Sequence, residues 1–148
     1  MKRLTRIKYN KLRRGLESDD ASLRNETALE IADNRGEEAV PILATAIART
    51  ENIGANGTLV YALGHFDCRQ YCELLITVAL HHRFEASQEA MMILTEKDCD
   101  FLDDQLLTVK KELDAAGQGA LLDYQQYALG RIRKHFFGRV SDSRSVSR

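Results

Sequence analysis

Histidine and cysteine are the residue types in this chain that could support metal chemistry. His65, Cys68 and Cys72 stand close together in the sequence, and imidazole and thiolate groups are the ligands that Zn²⁺ prefers. A fourth ligand is not evident, and Cys72 falls on the apolar stripe of a predicted helix, where cysteine behaves as a small buried hydrophobe. We therefore predict that Cys68 and Cys72 are packing residues and that the chain holds no metal.

His81, His82 and Cys99 could form a cysteine–histidine nucleophile pair, which requires a hydrogen bond between the two side chains and a third group that orients them. The spacing of these residues does not establish that contact. The two histidines also stand at the carboxyl end of a predicted helix, where positive charge is favourable without any catalytic role. We therefore predict no catalytic residues and no enzymatic activity.

Four aspartates near the middle of the chain resemble the start of a calcium-binding loop: Asp98, Asp100, Asp103 and Asp104. Such a loop needs a glycine at its sixth position and a glutamate at its twelfth, and neither is present. Helix capping and pairing with a helix dipole explain Asp100 and Asp103 without an ion. The sequence predicts no cofactor.

The number of cysteines and the length of the apolar runs predict a protein of the cytoplasm. Three cysteines are an odd number that fits no disulfide framework, so we expect a reducing cytoplasm. No secretory signal is evident at the basic amino terminus. The longest uncharged stretch, residues 52–66, contains 15 residues with asparagines and glycines, which is too short and too polar to span a bilayer. We expect no membrane association.

Charge is segregated along the chain despite a net charge of −1. Residues 1–14 carry seven basic side chains and no acid, and residues 131–148 carry six basic side chains and one acid. The middle, residues 15–130, has eight basic and 21 acidic residues, a net charge of −13. Such a pattern bears on partners and association rates rather than on fold. Two interpretations, which do not exclude each other, are that the basic ends fold back on the acidic body and that the body receives a basic partner.

The elements that position these residues are predicted to be helices. Apolar residues recur at helical spacing throughout, and 148 residues are enough for one domain, which we place at 1–137. A basic first helix is predicted over 3–17 and a closing helix over 119–137, followed by a disordered serine–arginine tail over 138–148. Between them we predict six helices, over residues 20–34, 37–49, 52–64, 68–82, 85–96 and 101–115.

The helices repeat in pairs. Ile31-Ala32-Asp33, followed by Leu43, aligns with Leu63-Gly64-His65, followed by Leu75, and a third copy has Leu94 followed by Leu106. The segments Ala28–Ala32 with Glu38–Leu43, and Tyr61–Gly64 with Cys72–Leu75, resemble HEAT-like repeats of the phycobilisome-lyase type. The resemblance covers about residues 20–115, and its third copy lacks the glycine and the proline.

This resemblance implies an all-α fold, a short right-handed α-solenoid of three to four HEAT-like helix pairs, and most often protein binding. Some HEAT-like proteins are DNA glycosylases, which use tryptophan around a catalytic aspartate, but this chain has no tryptophan and an acidic centre. The phycobilin-attachment relatives imply tetrapyrrole binding, for which nothing here marks a pocket. An unrelated helical bundle is the alternative fold.

In HEAT proteins the second helix of each pair lines the binding surface. The corresponding acidic residues here, which we predict to bind one basic protein partner, are Glu37, Glu38, Glu73, Asp103, Asp104, Glu112 and Asp114. A bacterial immunity protein that neutralises a toxin such as a nuclease fits this pattern. The alternatives are a nucleic-acid-associated accessory protein that uses the basic termini, and a lyase-like or assembly chaperone.

Overall fold

The protein is all-α, as the apolar spacing predicts. The computed structural model describes residues 3–97 and 99–146, with side chains described as far as residue 138. This part of the chain contains no strand and forms eight α-helices, which are α1 (Arg6–Leu16), α2 (Ala21–Asp33), α3 (Val40–Ala48), α4 (Gly57–Leu63), α5 (Cys72–His81), α6 (Phe84–Glu96), α7 (Asp103–Gly117) and α8 (Asp123–Val146).

Two compact units, residues 1–71 and 72–148, divide the chain. The first unit contains α1 to α4 and the second contains α5 to α8. The boundary falls between α4 and α5, the two helices of the second predicted repeat. The prediction of a single domain over 1–137 stays a prediction.

In the first unit, α2 packs against α1 and α4, and α3 packs against α1 and α4. The core is formed by aliphatic side chains with almost no exposure, including Leu16, Ile31, Leu43, Ile47, Leu59 and Leu63. The approach of α1 to α2 requires Gly15, because a Cβ atom there would collide with the side chain of Thr27.

Local signals fix the ends of α2 as the sequence indicates. The Asp20 carboxylate accepts a hydrogen bond from the Ser22 amide at 2.9 Å and caps the first turn. At the other end, the Gly36 amide donates to the Ile31 carbonyl and the Arg35 amide to the Ala32 carbonyl. This is a Schellman motif, and its left-handed residue is Arg35, with φ of 51°, rather than the glycine that follows it.

The predicted fourth helix, over 52–64, starts later than expected. Asn52 and Asn56 are buried, and their side-chain amides donate to the carbonyl oxygens of Ala46 at 2.8 Å and Ile47 at 3.1 Å. Those carbonyls belong to the last turn of α3 and have no partner within that helix. The segment between α3 and α4 is therefore a turn that caps α3, and α4 begins only at Gly57.

In the second unit, α6 packs against α5 and α8, and α7 also contacts α5 and α8. Fully buried side chains include Leu75, Ile76, Leu80, Leu94, Leu113 and Ile132. The burial of Leu63 and Leu75 at the positions equivalent to Ile31 and Leu43 is confirmed. In the third copy Leu94 is buried but Leu106 is only partly buried, which agrees with its departure from the pattern.

Helix α8 begins and ends later than the predicted closing helix, and its backbone continues to Val146. The predicted disordered tail, 138–148, therefore starts within this helix. A helix that is already nucleated gains one hydrogen bond for each residue added, so it can extend into polar sequence without burying side chains. Residues 147–148 of that tail lie outside the described residues.

Candidate functional site

Two of the predicted acidic residues come together on neighbouring helices. Glu73 lies in the first turn of α5, and Glu112 lies on α7, which packs against α5. Partial burial raises the pKa of the Glu112 carboxyl, the negative charge of Glu73 raises it further, and His81 acts in the opposite direction. The packing of α7 against α5 thus lets the negative charges of Glu73 and Glu112 act on each other.

Asp103 and Asp104 occupy the first turn of α7, where a helix dipole favours negative charge, and both are exposed. The helical period places Asp104 two turns before Glu112 and about 80° around the axis from it, whereas Asp103 is about 180° away. Asp104 thus lies on the same side of α7 as Glu112. We call Glu73, Asp104 and Glu112 the α5–α7 acidic surface.

Asp114 is paired within the protein. Its carboxylate accepts a hydrogen bond from the Arg133 guanidinium of α8 at 3.2 Å, and the same guanidinium nitrogen donates to the Leu113 carbonyl at 3.2 Å. Both charged side chains are about half exposed, so the pair contributes little to stability. The pairing turns Asp114 towards α8 and partly neutralises it.

Glu37 and Glu38 belong to the first unit, in a short 3₁₀ turn that leads into α3. Both are exposed, and the Glu38 carboxylate lies 3.9 Å from the guanidinium of Arg3. The seven predicted residues are therefore shared between the two units, and Glu73 and Glu112 are the two whose charges act on each other.

The expectation that the cysteines form no disulfide is wrong, because Cys72 and Cys99 are bonded to each other. The bond joins the first turn of α5 to the segment after α6, across a sequence separation of 27. An odd number of cysteines excludes a fully paired set but not a single bond. Cys72 is buried, as predicted, yet it is a covalent link as well as a packing residue.

The other groups considered for zinc and calcium have separate structural roles. The Cys68 thiol is buried and donates to the Leu63 carbonyl at 3.2 Å, and His65 Nδ1 lies 3.1 Å from the Tyr61 carbonyl. Gln105, rather than an aspartate side chain, accepts a hydrogen bond from the Leu102 amide at the start of α7. Asp98 lies outside the described residues. Among the residues that the structure describes, no three potential ligands cluster.

A cysteine–histidine nucleophile pair does not form, because the disulfide leaves Cys99 without a thiolate. His82 is buried, and its carbonyl oxygen accepts a hydrogen bond from the Gln125 amide at 3.1 Å. Burial lowers the pKa of the His82 imidazole, and the neighbouring charge of His81 lowers it further. His82 thus ends α5 through its backbone: its amide donates to the Val78 carbonyl, and its own carbonyl accepts from Gln125.

One electrostatic feature was missed in the sequence. Burial raises the pKa of Glu89 on α6, and Glu85 and Glu96 on the same helix raise it further. The four-residue spacing of Glu85 and Glu89 is a visible like-charge signal on a helix face. The burial that adds to it depends on the packing of α6 and could not be read in advance.

Comparison of the chain with family models, with curated proteins and with solved structures finds no match. Within the described residues, none of the helices is both long and apolar enough to cross a membrane.

Proposed function

We propose that the helices stack as a short right-handed α-solenoid of three to four HEAT-like pairs. In such a stack, the first helices of successive repeats contact one another, as do the second helices. The packing of α2 against α4 in the first unit supports this arrangement, as does the packing of α6 against α8 and of α5 against α7 in the second.

We propose that this protein is a non-catalytic binding module whose α5–α7 acidic surface receives one basic protein partner. The carrying observation is that Glu73 and Glu112 lie on helices that pack against each other and that the charge of Glu73 raises the pKa of Glu112, with Asp104 on the same side of α7. Two carboxylates held against their mutual repulsion are destabilising in the free protein, and a cation from a partner relieves that repulsion. The net charge of −13 over residues 15–130 adds long-range attraction.

The most specific candidate for this function is a bacterial immunity protein, and for the partner a toxin with a cationic substrate cleft, such as a nuclease. Carboxylates that cover such a cleft block nucleic-acid entry without any catalysis, and complementary potentials accelerate capture. A cytoplasmic location stays part of this proposal, but the Cys72–Cys99 disulfide removes the cysteine count as an argument for it.

Affinity capture from cells of the source organism, followed by mass spectrometry, tests this proposal. We expect one basic protein in a near-equal ratio. The association rate of that protein is then measured with Glu73→Gln/Asp104→Asn/Glu112→Gln. We expect the rate to fall by about tenfold or more, and the wild-type rate to fall as salt screens attraction beyond ~8–10 Å.

Two control variants separate the acidic surface from net charge. Asp114→Asn removes a carboxylate that Arg133 already pairs, so it should change the rate little. Arg6→Gln/Arg13→Gln/Arg14→Gln should leave capture unchanged or faster. If the triple acidic variant binds normally while the arginine variant fails, the partner is acidic and the proposal is wrong.

The second candidate function is nucleic-acid association, which one feature of α1 favours. Arg6, Arg13 and Arg14 are exposed, whereas the apolar side of the helix, with Leu12 and Leu16, is buried. A cationic face on a packed helix suits phosphate contacts. Nucleic acid in the captured material, and binding that weakens steeply with salt, would support this function over the first.

A further inference from the structure

A cavity of about 710 Å³ in the second unit opens beside the disulfide, and Cys99 is one of its lining residues. Phe101 and Phe136, whose rings meet edge to face at 5.1 Å, form part of its apolar wall. The volume falls within the range of pockets that take small molecules. Cys72 is not among the lining residues, so Cys99 is the cysteine of the bond that the cavity reaches.

Charged side chains around the cavity favour an anion. Arg131 and Lys134 of α8 line it and are exposed, and Asp100 is the one carboxylate among the described residues of the lining. Neither Arg131 nor Lys134 forms a salt bridge with a described side chain within 4.0 Å. Two cations that line the same cavity as Cys99 can hold the carboxylates of a small thiol within that cavity.

We propose that this cavity is a docking site for a small anionic thiol of the peptide class, which exchanges with the Cys72–Cys99 disulfide at Cys99. The thiolate sulfur attacks Cys99 Sγ, and a new sulfur–sulfur bond forms as the Cys99–Cys72 bond breaks. The electron pair leaves with Cys72 Sγ, which then takes a proton from solvent. A second thiol attacks the mixed disulfide and releases Cys99, so two thiols are oxidised while the protein disulfide is reduced.

The position of each sulfur supports this direction of attack. Cys99 is 7% exposed and Cys72 is 3% exposed, so a bulky protein thiol is excluded while a small molecule in the cavity faces Cys99. Cys72 is the first residue of α5. The partial positive charge at a helix start stabilises a departing thiolate, which makes Cys72 the better leaving group.

Reduction of the oxidised full-length chain by three thiols of different charge tests the proposal. The probes are glutathione, which is anionic, 2-mercaptoethanol, which is neutral, and cysteamine, which is cationic, with rates compared per thiolate. We expect Arg131→Gln/Lys134→Gln to slow the reduction of the disulfide by glutathione about tenfold. This is the smallest rate enhancement that a charged cleft usually gives an oppositely charged ligand. The rate with 2-mercaptoethanol should stay within about twofold, because a neutral thiol gains nothing from the two cations.

A change of opposite sign and a matched control complete the design. Asp100→Asn should accelerate glutathione, since it removes the carboxylate of the lining, and Lys11→Gln/Arg14→Gln, with the same charge change in the first unit, should change nothing. Acid-quenched samples should carry glutathione on Cys99. The proposal is overturned if Arg131→Gln/Lys134→Gln slows reduction by all three thiols equally, or if glutathione is found on Cys72. It is also overturned if Cys72 and Cys99 form no disulfide after mild oxidation.

Discussion

Gln125 links the carboxyl end of α5 to the amino end of α8. Its side-chain amide nitrogen donates a hydrogen bond of 3.1 Å to the carbonyl oxygen of His82, the residue just after α5. Its amide oxygen accepts at the same time from the Leu122 backbone amide at 3.0 Å, at the start of α8. One buried side chain therefore satisfies a helix end on each side.

Replacement of this amide should destabilise the second unit. Gln125→Leu keeps a similar volume but removes both hydrogen bonds, while the Tyr124 hydroxyl, 3.5 Å from the His82 carbonyl, still donates to it. At ~0.5–1.5 kcal/mol for each hydrogen bond, we expect a loss of ~1–3 kcal/mol. Gln126→Leu is the matched control, because Gln126 is exposed, and it should cost no more than ~0.5 kcal/mol. Urea unfolding followed by circular dichroism measures both, and equal losses would contradict the role of Gln125.

Leu75 tests the packing at a repeat position. Its side chain is completely buried, and Leu75→Ala leaves a cavity, so we expect unfolding to become easier by ~2–5 kcal/mol. Leu107→Ala, at a residue of α7 that is 56% exposed, should have little effect. A negligible loss at Leu75, measured in the same urea series, would mean that its burial contributes nothing.

The disulfide should stabilise the folded chain through the loop that it closes in the unfolded state. For a separation of 27 residues we expect its reduction to cost about 2–4 kcal/mol. Cys72→Ala/Cys99→Ala should have the same melting temperature with and without a phosphine reductant, whereas that of the wild type should fall on reduction. A wild-type melting temperature that ignores the reductant would contradict this expectation.

Glu112 should make stability depend on pH. Its pKa in the folded protein is raised, so the folded state binds the proton more tightly than the unfolded state does. The resulting stabilisation is fully present below the ordinary glutamate pKa of about 4.5 and is lost as pH rises through the folded value. Glu112→Gln should therefore unfold at a higher urea concentration than the wild type at pH 7, and the difference should shrink at pH 4.

The same variant separates folding from binding. If Glu112 serves a basic partner, Glu112→Gln should weaken capture while it stabilises the free protein. Glu37→Gln, in the first unit and exposed, serves as the folding control. A variant less stable than the wild type at pH 7 would contradict the repulsion between Glu73 and Glu112.

Arg35 provides a test of backbone conformation. It has φ of 51°, in the left-handed region that disfavours side chains with a Cβ atom. Arg35→Gly should remove that cost, and after allowance for the greater freedom of glycine in the unfolded chain we expect a gain of up to ~1 kcal/mol. Gly36→Ala, at a negative φ, is the comparison. Thermal unfolding measures both, and a destabilised Arg35→Gly would contradict the reasoning.

The amino-acid sequence by itself predicted that the chain is helical and predicted most of the buried positions, although Ile7, Leu23 and Leu102 share the helical spacing and are exposed. The spacing of Val40, Leu43, Ala44 and Ile47 predicts which face of α3 is buried, because side chains three and four residues apart share one side of a helix. Asp20 and the Asn34–Gly36 segment likewise predict the ends of α2, since caps depend on residues that are adjacent in the chain.

Only the tertiary structure decided which of these faces meet. The bond between Cys72 and Cys99, the repulsion between Glu73 and Glu112, and the pairing of Asp114 with Arg133 each join residues on different elements. Helical periodicity fixes the direction of a side chain relative to its own helix axis but not the neighbour that packs there. That neighbour is set by the packing of the whole unit. Of two acidic residues on α7, Glu112 therefore meets the like charge of Glu73, whereas Asp114 forms an ion pair with Arg133.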